Sequence, residues 1–155
     1  MMPSENNIPS IAESPWLEVA RKEIGVCEIL GSKSNPRIIE YDQATVLKAT
    51  NDETPWCSAF VNWCFAQVGI EGTRSAAARS WLQWGCEIKT PVLGCVCVLK
   101  RGLSLWQGHV GFYIGEGPAG HVQLLGGNQG NAVKIEAFPV SKIISYRMPL
   151  ERMVV

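Results

Sequence analysis

The chain has 155 residues, enough for one domain that buries about two-thirds of its unfolded surface. Hydrophobic residues make up 46% and charged residues 18%, and 14 Lys plus Arg balance 14 Asp plus Glu, so neither a disordered chain nor a dedicated nucleic-acid binder is expected. No apolar run approaches the ~20 residues of a membrane helix, and the opening MMPSENNIPSIAESPW has neither the basic start nor the apolar core of a secretory signal.

Residues 1–14 read as a polar leader and 15–155 as one domain. Pro15 opens a helix in PWLEVARKEIGV, where Trp16, Leu17, Ala20 and Ile24 recur at helical spacing and Gly25 marks a stop. Residues 27–35 form a loop. Asn35 and Pro36 start a second helix, as cap and first-turn residue, and it carries Ile38, Ile39 and Tyr41. Residues 49–55, ATNDETP, are turn-forming. In WCSAFVNWCFAQVG, Cys57, Val61, Cys64 and Val68 follow the i, i+4, i+7, i+11 rule, and Phe60 and Phe65 widen the stripe. Cys57 therefore falls in the first turn of a mostly buried helix. A short helix is expected over 75–84, ended by Gly85. The pattern then changes to strands, at 94–100, 108–115, 121–125, 132–138 and 145–149. Helices first and an antiparallel meander after predict an α+β domain.

Histidine occurs twice, at His109 and His121, and aspartate twice, at Asp42 and Asp52. With so few ligands and no C-x-x-C pair, no metal site and no cofactor are expected. The six cysteines are Cys27, Cys57, Cys64, Cys86, Cys95 and Cys97. Cys95 and Cys97 alternate in GCVCVLK, which puts them on one face ~6.5 Å or more apart, poor geometry for a bridge. Cys57 and Cys64 are ~10 Å apart along a helix, which is too far. Most of the six read as small buried hydrophobes of a reducing compartment.

Cys57 calls for separate treatment. A thiol at a helix start meets the positive end of the dipole and free N–H groups, which favour thiolate and can hold an oxyanion. His109 begins a strand between Gly108 and Val110, where it can lean over a helix terminus packed on the sheet, and it is the preferred base. An orienting partner for that base is expected at the end of the neighbouring strand, in LLGGNQG. Asn128 is the choice there, with Gln129 and His121 as alternatives.

The motifs WCSAFVNW around Cys57, GHVGFYIG around His109 and LGGNQ around Asn128 together resemble the papain-like cell-wall hydrolases. These are the NlpC-type endopeptidases and the CHAP amidases (cysteine, histidine-dependent amidohydrolase/peptidase), and the compact phage-lysin-like members are the most similar. The resemblance runs from Pro15 to Arg147. It implies a papain-like fold, with N-terminal helices packed on a C-terminal antiparallel sheet and the catalytic cysteine at a helix start. It also implies a cysteine peptidase or amidase that cleaves a stem-peptide or muramyl-peptide amide of peptidoglycan, with Cys57 as nucleophile, His109 as base and Asn128 at the third position. The family commonly has Gly-Asp where this chain has Gly94-Cys95, which puts the local turn in doubt. Tyr41 is a loose counterpart of the tyrosine that lends a hydroxyl near the oxyanion.

Among the tryptophans, Trp56 is the best groove candidate, with Trp84 and Trp106 open to that role and Trp63 and Trp81 assigned to packing. Arg79 is placed to meet a stem-peptide carboxylate. The expected partner is bacterial peptidoglycan, reached after release, lysis or delivery. An immunity protein would accompany a delivered toxin. Neither nucleic acid nor membrane insertion is expected, and the chain reads as a monomer. Two other readings stand beside this one: a catalytically idle papain-like binding module, and a cysteine hydrolase of another amide.

Overall fold

The computed structural model describes residues 14–30, 34–47 and 55–154, apart from the side chain of Arg152. The expected leader up to residue 13, loop residues 31–33 and most of the expected turn at 49–55 lie outside the described residues. Three α-helices come first: α1 (Pro15–Lys22), α2 (Pro36–Asp42) and α3 (Cys57–Gln67). A 3₁₀ helix, Ala78–Gln83, leads into the strands. These are β1 (Cys86–Ile88), β2 (Val96–Lys100), β3 (Gly108–Glu116), β4 (His121–Gln129), β5 (Ala132–Pro139) and β6 (Ile143–Met148). They form one antiparallel sheet in the order β1-β6-β2-β3-β4-β5. The fold is α+β, with helices on one face of the sheet.

Each helix forms for a local reason. α1 buries Trp16, Leu17 and Ala20, and the Trp16 indole donates to Gly94 O at 2.7 Å. It ends at Lys22, before the expected stop. Gly25, at φ +105°, then donates its N–H to Val133 O and ties the exit of α1 to β5. The Asn35 side chain caps α2 by accepting from Arg37 N at 2.9 Å. α3 is buried along its whole first part, residues 57 to 65, and is the hub of the helix-side core. The Phe65 ring lies 5.2 Å from Trp16, 4.8 Å from Trp84 and 5.7 Å from both Trp81 and Phe112. Each such ring contributes about 1.5–3 kcal/mol on burial.

Two expected elements change. The helix over 75–84 shrinks to the 3₁₀ turn because Thr73 Oγ1 accepts Ser75 N and Ser75 Oγ accepts Ala77 N. These local bonds compete with a regular helix start. The third expected strand, ending at 125, runs on to Gln129 as β4. β1, three residues long, has no alternation to reveal it.

The sheet has two apolar faces. Val96, Val98, Val110, Phe112, Leu125 and Val133 belong to the core under the helices. Cys97, Leu99, Val122 and Leu124 form a second cluster with Phe138, Ile143 and Tyr146. Cys95 lies just before β2 and packs with the helix-side cluster, and Cys97 packs with the other, yet both thiols neighbour Tyr113 and Tyr146 and they stay unbridged. All six cysteines are free thiols. The turn at Gly94-Cys95 closes without an aspartate. Gly94 takes φ +85°, its N–H donates to Tyr113 O at 2.8 Å, and Cys95 N donates to Val92 O at 3.0 Å.

Candidate active site

Cys57 is the first residue of α3. Its two neighbours hold that helix start to different parts of the chain. The Trp56 indole donates to Glu28 Oε2 at 2.8 Å, and Glu28 N donates to Asn131 O. Ser58 Oγ donates to Ser75 O at 2.7 Å and accepts the Trp81 indole N–H at 2.8 Å. Gly127 of β4 completes the clamp. A Cβ there would lie 2.7–2.8 Å from the Trp56 ring and Phe60 Cβ, so only glycine lets β4 press this closely on the first turn of α3.

His109 is the second residue of β3, opposite Leu99. Its Nε2 lies 2.9 Å from Gln129 Oε1. The Gln129 carboxamide has its own orientation fixed, because its Nε2 donates to Leu124 O at 3.1 Å and Lys134 O at 2.7 Å. Its oxygen must therefore face the imidazole, which donates from Nε2–H and turns Nδ1 to the sulfur of Cys57. The His109 ring also stacks on Phe138, with centroids 5.1 Å apart and planes 25° apart.

The ionisation of the pair follows from this geometry. Burial pushes the Cys57 thiol up, but the His109 imidazolium and its hydrogen bond, with the N–H groups of Val110 and Ser58, bring it below its ordinary value. Burial pulls the His109 imidazole down, but the Cys57 thiolate, the bonds to Cys57 and Gln129, and the negative Glu136 hold it above its ordinary value. The pairing of β3 with β4 starts only at Phe112 and Leu125, so the Val110 N–H is available to the sulfur.

Gln129 reaches His109 through a bulge. Between the pairs Gly126–Lys134 and Gln129–Ala132, β4 has two residues and β5 has one. Asn128 absorbs the extra residue at φ +58°, and Gly130 and Asn131, at φ +60° and +62°, make the two-residue turn into β5. The carboxamide then lies over Gly126 and Gly111. A Cβ on Gly126 would collide with Gln129 Oε1, and one on Gly111 would sit 3.3 Å from it.

The other expected site residues fall elsewhere. Asn128 is half-buried and lines a cleft of about 220 Å³ with His109, Gln129, Glu136 and Phe138, rimmed by Lys100, Arg101 and Lys142. It is Gln129, not Asn128, that bonds His109. His121 sits at the opposite end of β4, its Nδ1 3.0 Å from Ala119 O. Trp56 is fully buried and has no surface to offer a groove. Tyr41 is fully buried too, stacked on Trp56, and its hydroxyl donates to Glu23 Oε1 at 2.6 Å. Burial and that carboxylate push its phenol far above the usual range. Arg79 spends its guanidinium on backbone, donating from Nε to Gln107 O at 2.7 Å and from Nη2 to Ser104 O at 2.8 Å. Trp63, Trp81 and Trp84 are buried, and Trp106 is exposed.

Two contributors, Glu136 and Phe138, had no place in the sequence reading. Lys134, Glu136 and Phe138 alternate along β5 and so share a face. That alternation was readable, but not which strand face the His109 ring occupies. One oxygen of Glu136, Oε1, is buried without a hydrogen-bond partner, and Lys134 Nζ approaches it at 3.8 Å.

Comparison with protein-family models matches residues 49–128 to the CHAP domain, just over half of the chain. The chain belongs to the CHAP family. The match covers Cys57 and His109 and stops one residue before Gln129. No curated protein matches the chain. CHAP domains are typically cysteine- and histidine-dependent amidases or peptidases, and membership points to amide hydrolysis in peptidoglycan as the activity class. No helix among the described residues is long and apolar enough to cross a membrane.

Proposed function

We propose that this CHAP protein hydrolyses an amide bond in the peptide part of peptidoglycan, by acyl transfer through Cys57. The observation that carries the reading is the line Cys57, His109, Gln129, in which a thiol at a helix start faces an imidazole oriented by a fixed carboxamide. The opposed shifts of the thiol and the imidazole favour a thiolate–imidazolium pair as the resting state.

The Cys57 thiolate attacks the amide carbonyl carbon, forming the S–C bond and moving the carbonyl π pair to oxygen. The Cys57 backbone N–H, at the start of α3, receives that oxyanion. As the oxyanion re-forms the carbonyl, the C–N bond breaks, and His109 Nδ1 gives its proton to the leaving amine. His109, now neutral, takes a proton from water, and the hydroxyl attacks the thioester. The C–S bond breaks, the acid product leaves and the thiolate returns beside the imidazolium. Gln129 keeps Nδ1 toward the sulfur throughout. The substrate lies outside the cytoplasmic membrane, and that is where the protein acts.

The test is digestion of purified peptidoglycan by wild type and Cys57→Ala, with soluble products read by mass spectrometry. Peptides released by wild type alone are expected, and their masses name the bond. Release by neither folded protein from several wall chemistries would reassign the chain to another amide or to a binding role. Equal release by both would remove Cys57 from the mechanism.

A further inference from the structure

The loop 101–107 between β2 and β3 holds Leu103, Leu105 and Trp106 in water, at 101%, 82% and 75% exposure. The loop is pinned. Arg79 binds the carbonyls of Ser104 and Gln107, and Ser104 Oγ accepts the N–H groups of Trp106 and Gln107 at 3.2 and 2.9 Å. Large apolar side chains on a braced loop mark a surface that something covers.

The loop is also part of the site. It starts at Arg101 and Gly102, which wall the cleft that contains His109, and it ends two residues before His109. Its anchor, Arg79, lies four residues after Ser75, which is bonded to the neighbour of Cys57. The chemistry is two-sided. Leu103, Leu105 and Trp106 are apolar, and Lys100 and Arg101 stand at the base of the loop with Lys142 across the cleft. Residues 100–108 contain no acid.

We propose that Leu103, Leu105 and Trp106 form a docking lip for the glycan strand of peptidoglycan, seating it so that a stem peptide enters beside Cys57. This inference rests on the hydrolase reading above. A sugar ring offers a face of C–H groups that lies flat on an indole, and its acetyl and lactyl methyls suit leucine. The stem peptide carries carboxylates, which the cations at the cleft complement. A purely apolar partner would leave the cations unmatched, and a purely polar one would leave the leucines uncovered.

The experiment is co-sedimentation of the full chain with purified insoluble peptidoglycan, in the Cys57→Ala background so that nothing is digested. Trp106→Ala and Trp106→Phe are added to that background, and thermal unfolding checks that each variant is folded. Loss of one exposed stacking residue should lower affinity about fivefold or more for Trp106→Ala and by less than about twofold for Trp106→Phe. Undiminished sedimentation of the Trp106→Ala protein overturns the lip and leaves the hydrolase reading standing. Failure of the Cys57→Ala protein to sediment with a wall that wild type digests overturns the lip alone, and failure with walls that wild type also leaves undigested overturns both. Phosphatidylglycerol vesicles supply the remaining arm: binding to them that Trp106→Ala abolishes would make the loop a membrane contact and overturn the glycan assignment.

Discussion

Cys57 and Cys64 lie two turns apart on one buried helix, yet their thiols move in opposite directions. Burial raises both. Cys64 meets in addition the negative Glu23, itself held by Tyr41 and Arg37, and ends well above its ordinary value. Cys57 meets an imidazolium and two backbone N–H groups and ends below its ordinary value. Cys95, buried with little but backbone to oppose it, is pushed up to about 11. Burial alone therefore does not separate a reactive thiol from an inert one. The groups that face the sulfur decide it, and α3 presents both cases within a single stripe of residues.

The largest break in this contrast comes from His109→Ala. It leaves the burial of Cys57 opposed only by N–H groups, so Cys57 should come to resemble Cys64. In wild type, the thiolate fraction grows at pH below the ordinary thiol range. In the variant it grows only near or above that range. Iodoacetamide labelling at neutral pH, mapped by peptide mass, should show Cys57 slowed about 10²-fold, with Cys64 unlabelled in both proteins. Fast labelling in the variant would mean that the helix start suffices.

Gln129→Leu acts one step further out. It removes the acceptor that holds the His109 ring, and hydrolysis should fall about tenfold or more, because orientation of the base is lost rather than the base itself. It also leaves the carbonyls of Leu124 and Lys134 without their donor, at a cost of about 1–3 kcal/mol in urea unfolding. Activity lost in proportion to folded protein alone would reduce Gln129 to a structural residue.

Glu136→Gln should have a smaller effect and a defined sign. The Glu136 carboxylate favours protonated His109, against the cations Lys134 on its own strand and Lys100, Arg101 and Lys142 around the cleft. Removing that charge lowers the pH at which His109 loses its proton. Since the protonated form serves the leaving amine, the alkaline limb of the hydrolysis profile should move to lower pH, costing about threefold on that limb and little at its acid end. A uniform drop across pH would point to packing instead.

The contrast also marks what could be read in advance. The spacing of Cys57, Val61 and Cys64 placed the thiol at the start of a buried helix, and GHVGFYIG placed His109 at the start of a strand, both as found. At the third position the alternative Gln129, and not the first choice Asn128, bonds His109, for a reason of parity. By plain alternation Asn128 shares the face of Leu124 and Gly126, which is the His109 face. One extra residue in β4 transfers that face to Gln129, and nothing in GGNQG announces where the chain takes a positive φ. The two glycines serve close packing, Gly126 under the carboxamide and Gly127 against α3. Nearness to the cysteine in sequence, or analogy, points to Trp56 and Tyr41, whereas a helix buried from Cys57 to Phe65 draws its neighbours inward. Arg79 turned from substrate to backbone because two loop carbonyls lie within its reach.

The parity argument can be broken on its own, with the smallest expected effect. Asn128→Gly removes the side chain that plain alternation would have given to His109, and keeps a residue content with φ +58°. If the bulge matters and the Asn128 carboxamide does not, labelling of Cys57 and hydrolysis should change by less than about twofold, within what the added backbone freedom of one glycine explains. Asn128→Ala separates the two contributions. It removes the same amide but opposes the left-handed backbone, so it should cost about 1 kcal/mol or more of stability. Activity should fall only as far as the strain moves Gln129. A large loss in the glycine variant would restore Asn128 as the orienting residue and make the 2.9 Å contact of Gln129 with His109 incidental.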